Sequence, residues 1–263
     1  MKPLLVIAVG RSGTTYLNAM LSRHPEIVAH TAYPLEFSPF LSALFPEDAT
    51  LRGSTNSPQY FADEATPLLS TLVNADRLPI ENIDPIYAML AREKRPQYFL
   101  EKFHPRLDLN AVFSAKPNAR FICLVRDPRD VLISARAFDQ KRGFKGFRER
   151  DGDTNEEVVL KYKEVFDQLV SAQKSSNALI VHYERLIADT ASCLRLICNY
   201  LEINSSLETI QGCLSKGLDI PDGHITSPKG ANSIARWQDE MDVDLRGLYK
   251  KHLGDVIQHF GYD

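Results

Sequence analysis

The sequence lacks most of what would mark a membrane, metal or nucleic-acid protein. No apolar run reaches the roughly 18–20 residues that a membrane-spanning helix needs. Charges balance to −3 over 263 residues, so nothing draws the chain to nucleic acid or to an anionic membrane surface. The four cysteines, Cys123, Cys193, Cys198 and Cys213, form no C-x-x-C pair. That argues against zinc or a disulfide framework and predicts reduced core thiols. The seven histidines show no ligand spacing, so no metal is expected. There is no internal repeat and no low-complexity tract. The apolar start runs directly into a glycine turn without a cleavage signature, so it reads as structure rather than a signal peptide. The expected location is the cytoplasm, with no membrane anchor; the oligomeric state is open.

What is present is an ordinary globular composition, 44% hydrophobic and 25% charged. It predicts one domain over residues 1–263. The organising stretch is at the start. Pro3 to Val9 is an apolar run of strand length, followed by the turn Gly10-Arg11-Ser12-Gly13-Thr14-Thr15. Two glycines permit positive φ and close approach of backbone to a ligand. Leu17, Met20 and Leu21 then suit a helix packed on a sheet. A strand, a glycine turn and a helix N-terminus make an anion site, because the first-turn N–H groups and the helix dipole face the same point. This is not the ATP loop G-x-x-x-x-G-K-[ST]: two residues separate Gly10 from Gly13, and Thr14 stands where the lysine would.

Further along, strands are predicted over 27–30, 98–103, 120–125 and 178–181. Helices are predicted over 128–138, 155–175, 190–201 and 245–260. Asp127 suits an N-cap and Pro128 the first helical position. Residues 46–96 lack strand patterning and read as a helical insertion on the acceptor side; residues 139–153 are charged and read as a mobile loop. Alternating strands and helices predict an α/β fold, a central parallel sheet with helices on both faces. Ligands of such sheets bind at the carboxyl ends of strands, where Gly10, His104, Arg126 and Tyr183 fall.

Several segments together resemble the sulfotransferases that use 3′-phosphoadenosine 5′-phosphosulfate (PAPS), in particular bacterial members with a P-loop-like fold. Gly-Arg-Ser-Gly-Thr-Thr-Tyr-Leu at 10–17 resembles the family's 5′-phosphosulfate loop. Val-Arg-Asp-Pro-Arg-Asp-Val at 125–131, with Ser134, resembles its 3′-phosphate segment. Tyr183-Glu184 resembles the adenine-side segment; Ser-Ile-Ala-Arg-Trp at 233–237 and the terminal Phe-Gly-Tyr resemble C-terminal segments. The resemblance implies that PAPS is the donor, with a small-molecule, lipid or carbohydrate hydroxyl as acceptor. It implies donor contacts from Arg11, Ser12, Gly13, Thr14, Thr15, Arg126, Ser134 and Tyr183. Tyr16 is placed for adenine stacking or for helix packing. Lys229-Gly230 matches a phosphate clamp in part, with Pro228 where the family has arginine.

Lys102-Phe103-His104-Pro105 resembles the catalytic segment, with His104 as general base and Lys102 stabilising the leaving oxygen; Phe103 departs from the family's small hydroxyl residue. The chemistry suits these types, since imidazole titrates near neutrality and a fixed ammonium can meet charge that grows in the transition state. Glu36 is the rival base. The basic cluster Lys141, Arg142, Lys145, Arg148 and Arg150 would favour an anionic acceptor if it folds over the cleft. Other readings are a small-molecule kinase, which would need a loop lysine and a magnesium carboxylate, and a non-catalytic nucleotide-binding module, which would not need Lys102 and His104.

Overall fold

A computed structural model describes residues 1–29, 96–103, 109–115, 117–173, 175, 177–215, 226 and 233–262. Glu36, His104, Lys229, Gly230 and the stretch expected as a helical insertion, all but its last residue, lie outside the described residues.

Five strands, β1 (Lys2–Ile7), β2 (Ile27–Ala29), β3 (Tyr98–Phe103), β4 (Arg120–Val125) and β5 (Ala178–His182), form one parallel sheet in the order β2-β3-β1-β4-β5. Their run-like apolarity follows from burial on both faces. Along β1 and its extension, Leu4, Val6 and Ala8 face one core, and Leu5, Ile7 and Val9 the other. The first core is shared with α1 (Thr14–Leu21), α5 (Tyr183–Ala188), α6 (Thr190–Leu201) and α7 (Leu207–Leu214). The second holds α2 (Leu109–Ala115), α3 (Pro128–Arg142), α4 (Asn155–Ala172) and α9 (Val243–His259). A four-residue helix, α8 (Trp237–Glu240), precedes α9. The expected α/β sandwich is therefore what the chain forms. All four cysteines are free and buried, and burial pushes the Cys123 thiol up to about 12.

Local chemistry explains the element starts. Asp127 accepts the N–H of Arg129 at 2.9 Å, and Pro128 opens α3 as expected. Thr154 and Glu157 close a reciprocal capping box on α4.

One boundary differs. Residues 139–153, expected as a mobile loop, begin with the last turn of α3, which runs to Arg142 before Gly143 turns left-handed at φ 78°. Asp139 pairs with Arg142 at 2.7 Å across that turn. The rest is tethered: Gly146 N–H donates to Asp139 at 2.7 Å, Glu149 pairs with Arg136 at 2.8 Å, and the Tyr162 hydroxyl donates to the Phe147 carbonyl at 2.8 Å. These contacts hold the stretch to α3 and α4, while Lys141, Lys145, Arg150 and Asp151 stay exposed. The short helices α2, α5, α7 and α8 were not anticipated, because so few turns carry too little periodicity to read.

Candidate functional site

The sheet order places β1 between β3 and β4, and after β3 the chain crosses to the other side of β1. Register brings Ile7 beside both Phe103 and Cys123, and Val125 beside His182. The carboxyl ends of β1, β3, β4 and β5 thus lie along one edge, at the reversal of strand order where doubly wound sheets bind ligands.

The turn after β1 is tight: Ser12 N–H donates to the Val9 carbonyl at 3.2 Å. Arg11 (φ 73°) and Gly13 (φ 89°) take the left-handed conformation. Gly13 caps α1 without any side-chain hydrogen bond, so the first-turn N–H groups and the positive end of the dipole face the strand edge. Ser12 is fully buried, and its Oγ has no hydrogen-bond partner. A buried hydroxyl without a partner beside a helix N-terminus is compatible with an anion site. The expectation that both glycines serve positive φ holds only for Gly13. A Cβ there would also come within 2.5 Å of the Tyr183 ring. Gly10 stays out of the left-handed region, and its constraint is space, since a Cβ would sit 2.6 Å from the Phe147 ring.

Arg126, at the end of β4, is only 3% exposed. It pairs with neither neighbouring aspartate. Its Nη1 donates to the Arg11 carbonyl at 2.8 Å and its Nη2 to the Ser233 carbonyl, while its guanidinium lies 4.8 Å from the Tyr183 ring centroid. Its Nε is buried without a partner. Asp127 is occupied by the Arg129 guanidinium at 2.7 Å. Asp130 accepts the N–H groups of Ala235 at 2.7 Å and Trp237 at 2.9 Å, and burial raises its pKa from the ordinary aspartate value. The turn after β4 therefore clasps both the glycine loop and residues 233–237.

Of the residues expected to contact the donor, Arg11, Gly13, Arg126, Ser134 and Tyr183 come together here. The Arg11 guanidinium leaves the helix terminus, makes a long 3.4 Å contact from Nε to Ser134 Oγ, and stacks 4.4 Å from the Phe138 ring centroid. Ser134, buried on α3, also meets Thr226 Oγ1 at 3.1 Å. Tyr183 hydrogen-bonds Ser233 Oγ at 2.8 Å. Tyr16 is half-buried and packs on the α6 side, its hydroxyl 3.3 Å from Thr190 Oγ1. Lys102 is half-buried at the carboxyl end of β3; alternation puts it on the face of Tyr98 and Leu100, the face that α1 covers. Among the described residues no His, Cys, Asp and Glu cluster could hold a metal, and no helix is long and apolar enough to cross a membrane.

Sequence reasoning missed Asp130, Phe138 and Phe147. The signal for the last two was available: isolated aromatics in a charged stretch need something to cover. It also read Tyr183-Glu184 and the terminal tyrosine as separate segments, whereas they form one network. The Tyr262 hydroxyl donates to Glu184 at 2.7 Å, and the other Glu184 oxygen accepts the Asp127 N–H at 3.1 Å. The Tyr262 hydroxyl also lies 3.2 Å from His182 Nδ1.

The family profile described as Sulfotransferase family matches residues 3–206. The chain belongs to the sulfotransferase family. It is 32% identical over 133 residues to sulfotransferase 2A6 of Rattus norvegicus, a match covering 48% of this chain and 46% of the rat protein. The chain thus spans about half the length of the curated relatives it matches. Among solved structures, it resembles the sulfotransferase domain of the Synechococcus PCC 7002 olefin synthase, with TM-score 0.59 and 18% identity over 100% of this chain and 95% of that one. It also resembles retinol dehydratase in complex with androsterone and inactive cofactor PAP, with TM-score 0.51 and 17% identity over 100% and 82%. At these identities the structural likenesses establish the sulfotransferase fold.

The terminal network makes stability depend on pH. Burial lowers the His182 pKa below its ordinary value, so the unfolded chain takes up this proton first as pH falls. The contribution of neutral His182 is complete above about pH 6.5 and is lost as pH falls through the folded value. Denaturant midpoints of wild type and His182→Gln should therefore differ in slope below about pH 6.5, wild type losing more stability on acidification. Parallel slopes would remove His182 from the titration.

Proposed function

We propose that this chain transfers a sulfuryl group from PAPS to a hydroxyl of a small molecule, lipid or carbohydrate. The observation that carries the reading is the pair of anion sites clasped by Arg126. One is the N-terminus of α1 with the orphan Ser12 hydroxyl. The other is the turn after β4 with Ser134 and the unpartnered Arg126 Nε. Two such sites suit a nucleotide with phosphates on both its 5′ and 3′ sides.

The loop N–H groups, Ser12, Thr14 and Thr15 would hold the 5′ side. Ser134, the Arg126 Nε and Lys229-Gly230 would hold the 3′-phosphate. Arg11 reaches from the first site toward Ser134 and can serve either. Tyr183 and Tyr16 flank the adenine side. PAPS supplies an activated sulfuryl group, which carries less negative charge than a phosphoryl group, so the reading requires no metal. The chain's own part is to orient donor and acceptor and to move one proton. Lys102, on the α1 face beside the loop, is suited to meet charge on the departing oxygen. His104 or Glu36 would take the acceptor's proton.

The donor reading is tested by thermal stabilisation. Adenosine 3′,5′-bisphosphate should raise the melting temperature well above the shift given by AMP or Mg-ATP at equal concentration. Equal shifts with AMP would remove the 3′ site, and a larger shift with Mg-ATP would favour a kinase.

The base is tested by substitution. His104→Ala should lower turnover by about 10²–10⁴-fold while bisphosphate binding persists, and His104→Gln should restore little because an amide cannot accept the proton. If Glu36→Gln abolishes turnover and His104→Ala retains it, Glu36 is the base.

A further inference from the structure

We propose that Phe147 is a positioning residue for the anion-binding turn, and that residue 10 is glycine to make room for its ring. The inference rests on the reading of residues 10–15 as the donor site.

Gly10 has no backbone need to be glycine, because it lies outside the left-handed region. Its constraint is one side chain: a Cβ would come within 2.6 Å of Phe147 Cδ1 and 2.8 Å of Cε1, closer than carbon atoms approach in folded proteins. The ring therefore lies flush on the turn backbone. It also meets Phe138 edge-on, centroids 5.6 Å apart. The two rings flank the Arg11 guanidinium at 4.4 and 5.9 Å, and the Arg142 guanidinium at 5.1 and 4.9 Å. Phe144 lies against Arg142 at 4.0 Å. Two cations and three rings thus interleave beside the turn, within the range of cation–π attraction.

The segment carrying Phe147 is held in an uncommon shape. Phe147 (φ 45°) and Arg148 (φ 76°) are consecutive non-glycine residues in the left-handed region. Such outliers persist only where surroundings impose them, and they concentrate at working sites. Here the fixing contact is the hydroxyl of Tyr162, a core residue of α4, on the Phe147 carbonyl at 2.8 Å. A continuous path runs from the core through Phe147 to Gly10 and Arg11. Its consequence is that the long Arg11 side chain is ordered before the donor arrives. An arginine already held between rings has less rotamer freedom left to lose on binding.

The test is a mutant cycle on the full chain, read by calorimetric affinity for adenosine 3′,5′-bisphosphate and by denaturation midpoint without nucleotide. Phe147→Leu fills part of the space but has no π face; it should weaken binding about threefold to thirtyfold. Gly10→Ala should weaken binding comparably, because its methyl group displaces the ring. In Gly10→Ala/Phe147→Ala the methyl has nothing left to displace, so the double variant should bind no worse than Phe147→Ala alone. Unchanged affinity in Phe147→Ala, even with a lowered midpoint, would reduce the residue to packing and overturn the proposal. Independent, multiplying losses would overturn it as well. If wild type does not bind the bisphosphate, the donor reading fails. The midpoints then still decide whether Gly10 and Phe147 are coupled, and additive midpoint shifts would refute the pairing.

Discussion

A buried guanidinium joins the parts of this site. Arg126 uses two of its nitrogens on the carbonyls of Arg11 and Ser233, segments that no sheet hydrogen bond connects. Turn carbonyls without a partner are costly to bury, and a charged donor that satisfies them is among the stronger hydrogen bonds available. The guanidinium is itself expensive to bury, and its surroundings offset that cost: the Tyr183 ring beneath it and the nearby Asp130 charge. The same Asp130 accepts the N–H groups of residues 235 and 237, so the two charges hold neighbouring points of one C-terminal segment. The glycine loop, the turn after β4 and the segment from 233 are one mechanical unit.

That unit follows from the sheet. A parallel sheet covered on both faces leaves its strand ends as the place where backbone polar groups and ligands can meet. β1 lies at the centre, so its following turn has the ends of β3 and β4 on either side. The rest of the chain braces these ends from outside. Phe147 presses on the turn after β1, and Tyr262 reaches Glu184 and through it the Asp127 amide. Both braces lie far in sequence from what they support.

This separation explains how much could be read without coordinates. The strands were legible because burial on both faces leaves apolar runs such as Phe121–Val125. The α3 start was legible because Asp127-Pro128 is a local capping signal. The glycine turn was recognisable, but the reason for Gly10 was not, since the ring that demands it lies 137 positions away. The role of Arg126 was half legible. A cation at a strand end announces an anion site, yet nothing local says that its fork is occupied by carbonyls of residues 11 and 233. The charged stretch 139–153 was legible as largely exposed, but composition does not say that Asp139 holds Arg142 or that Glu149 reaches back to Arg136. His104 and Glu36 fall outside the described residues, so the proton's path rests on resemblance and chemistry.

The central claim is that this clasped pair of anion sites serves sulfuryl transfer. It is tested most directly by incubating the full chain with PAPS labelled in its sulfur and a panel of hydroxyl compounds, then following the label. Sulfuryl transfer at this site should put label on an acceptor hydroxyl with equimolar release of adenosine 3′,5′-bisphosphate, at a rate a metal chelator does not change. Label that stays on the donor across the panel, while Mg-ATP under the same conditions phosphorylates an acceptor, would contradict it.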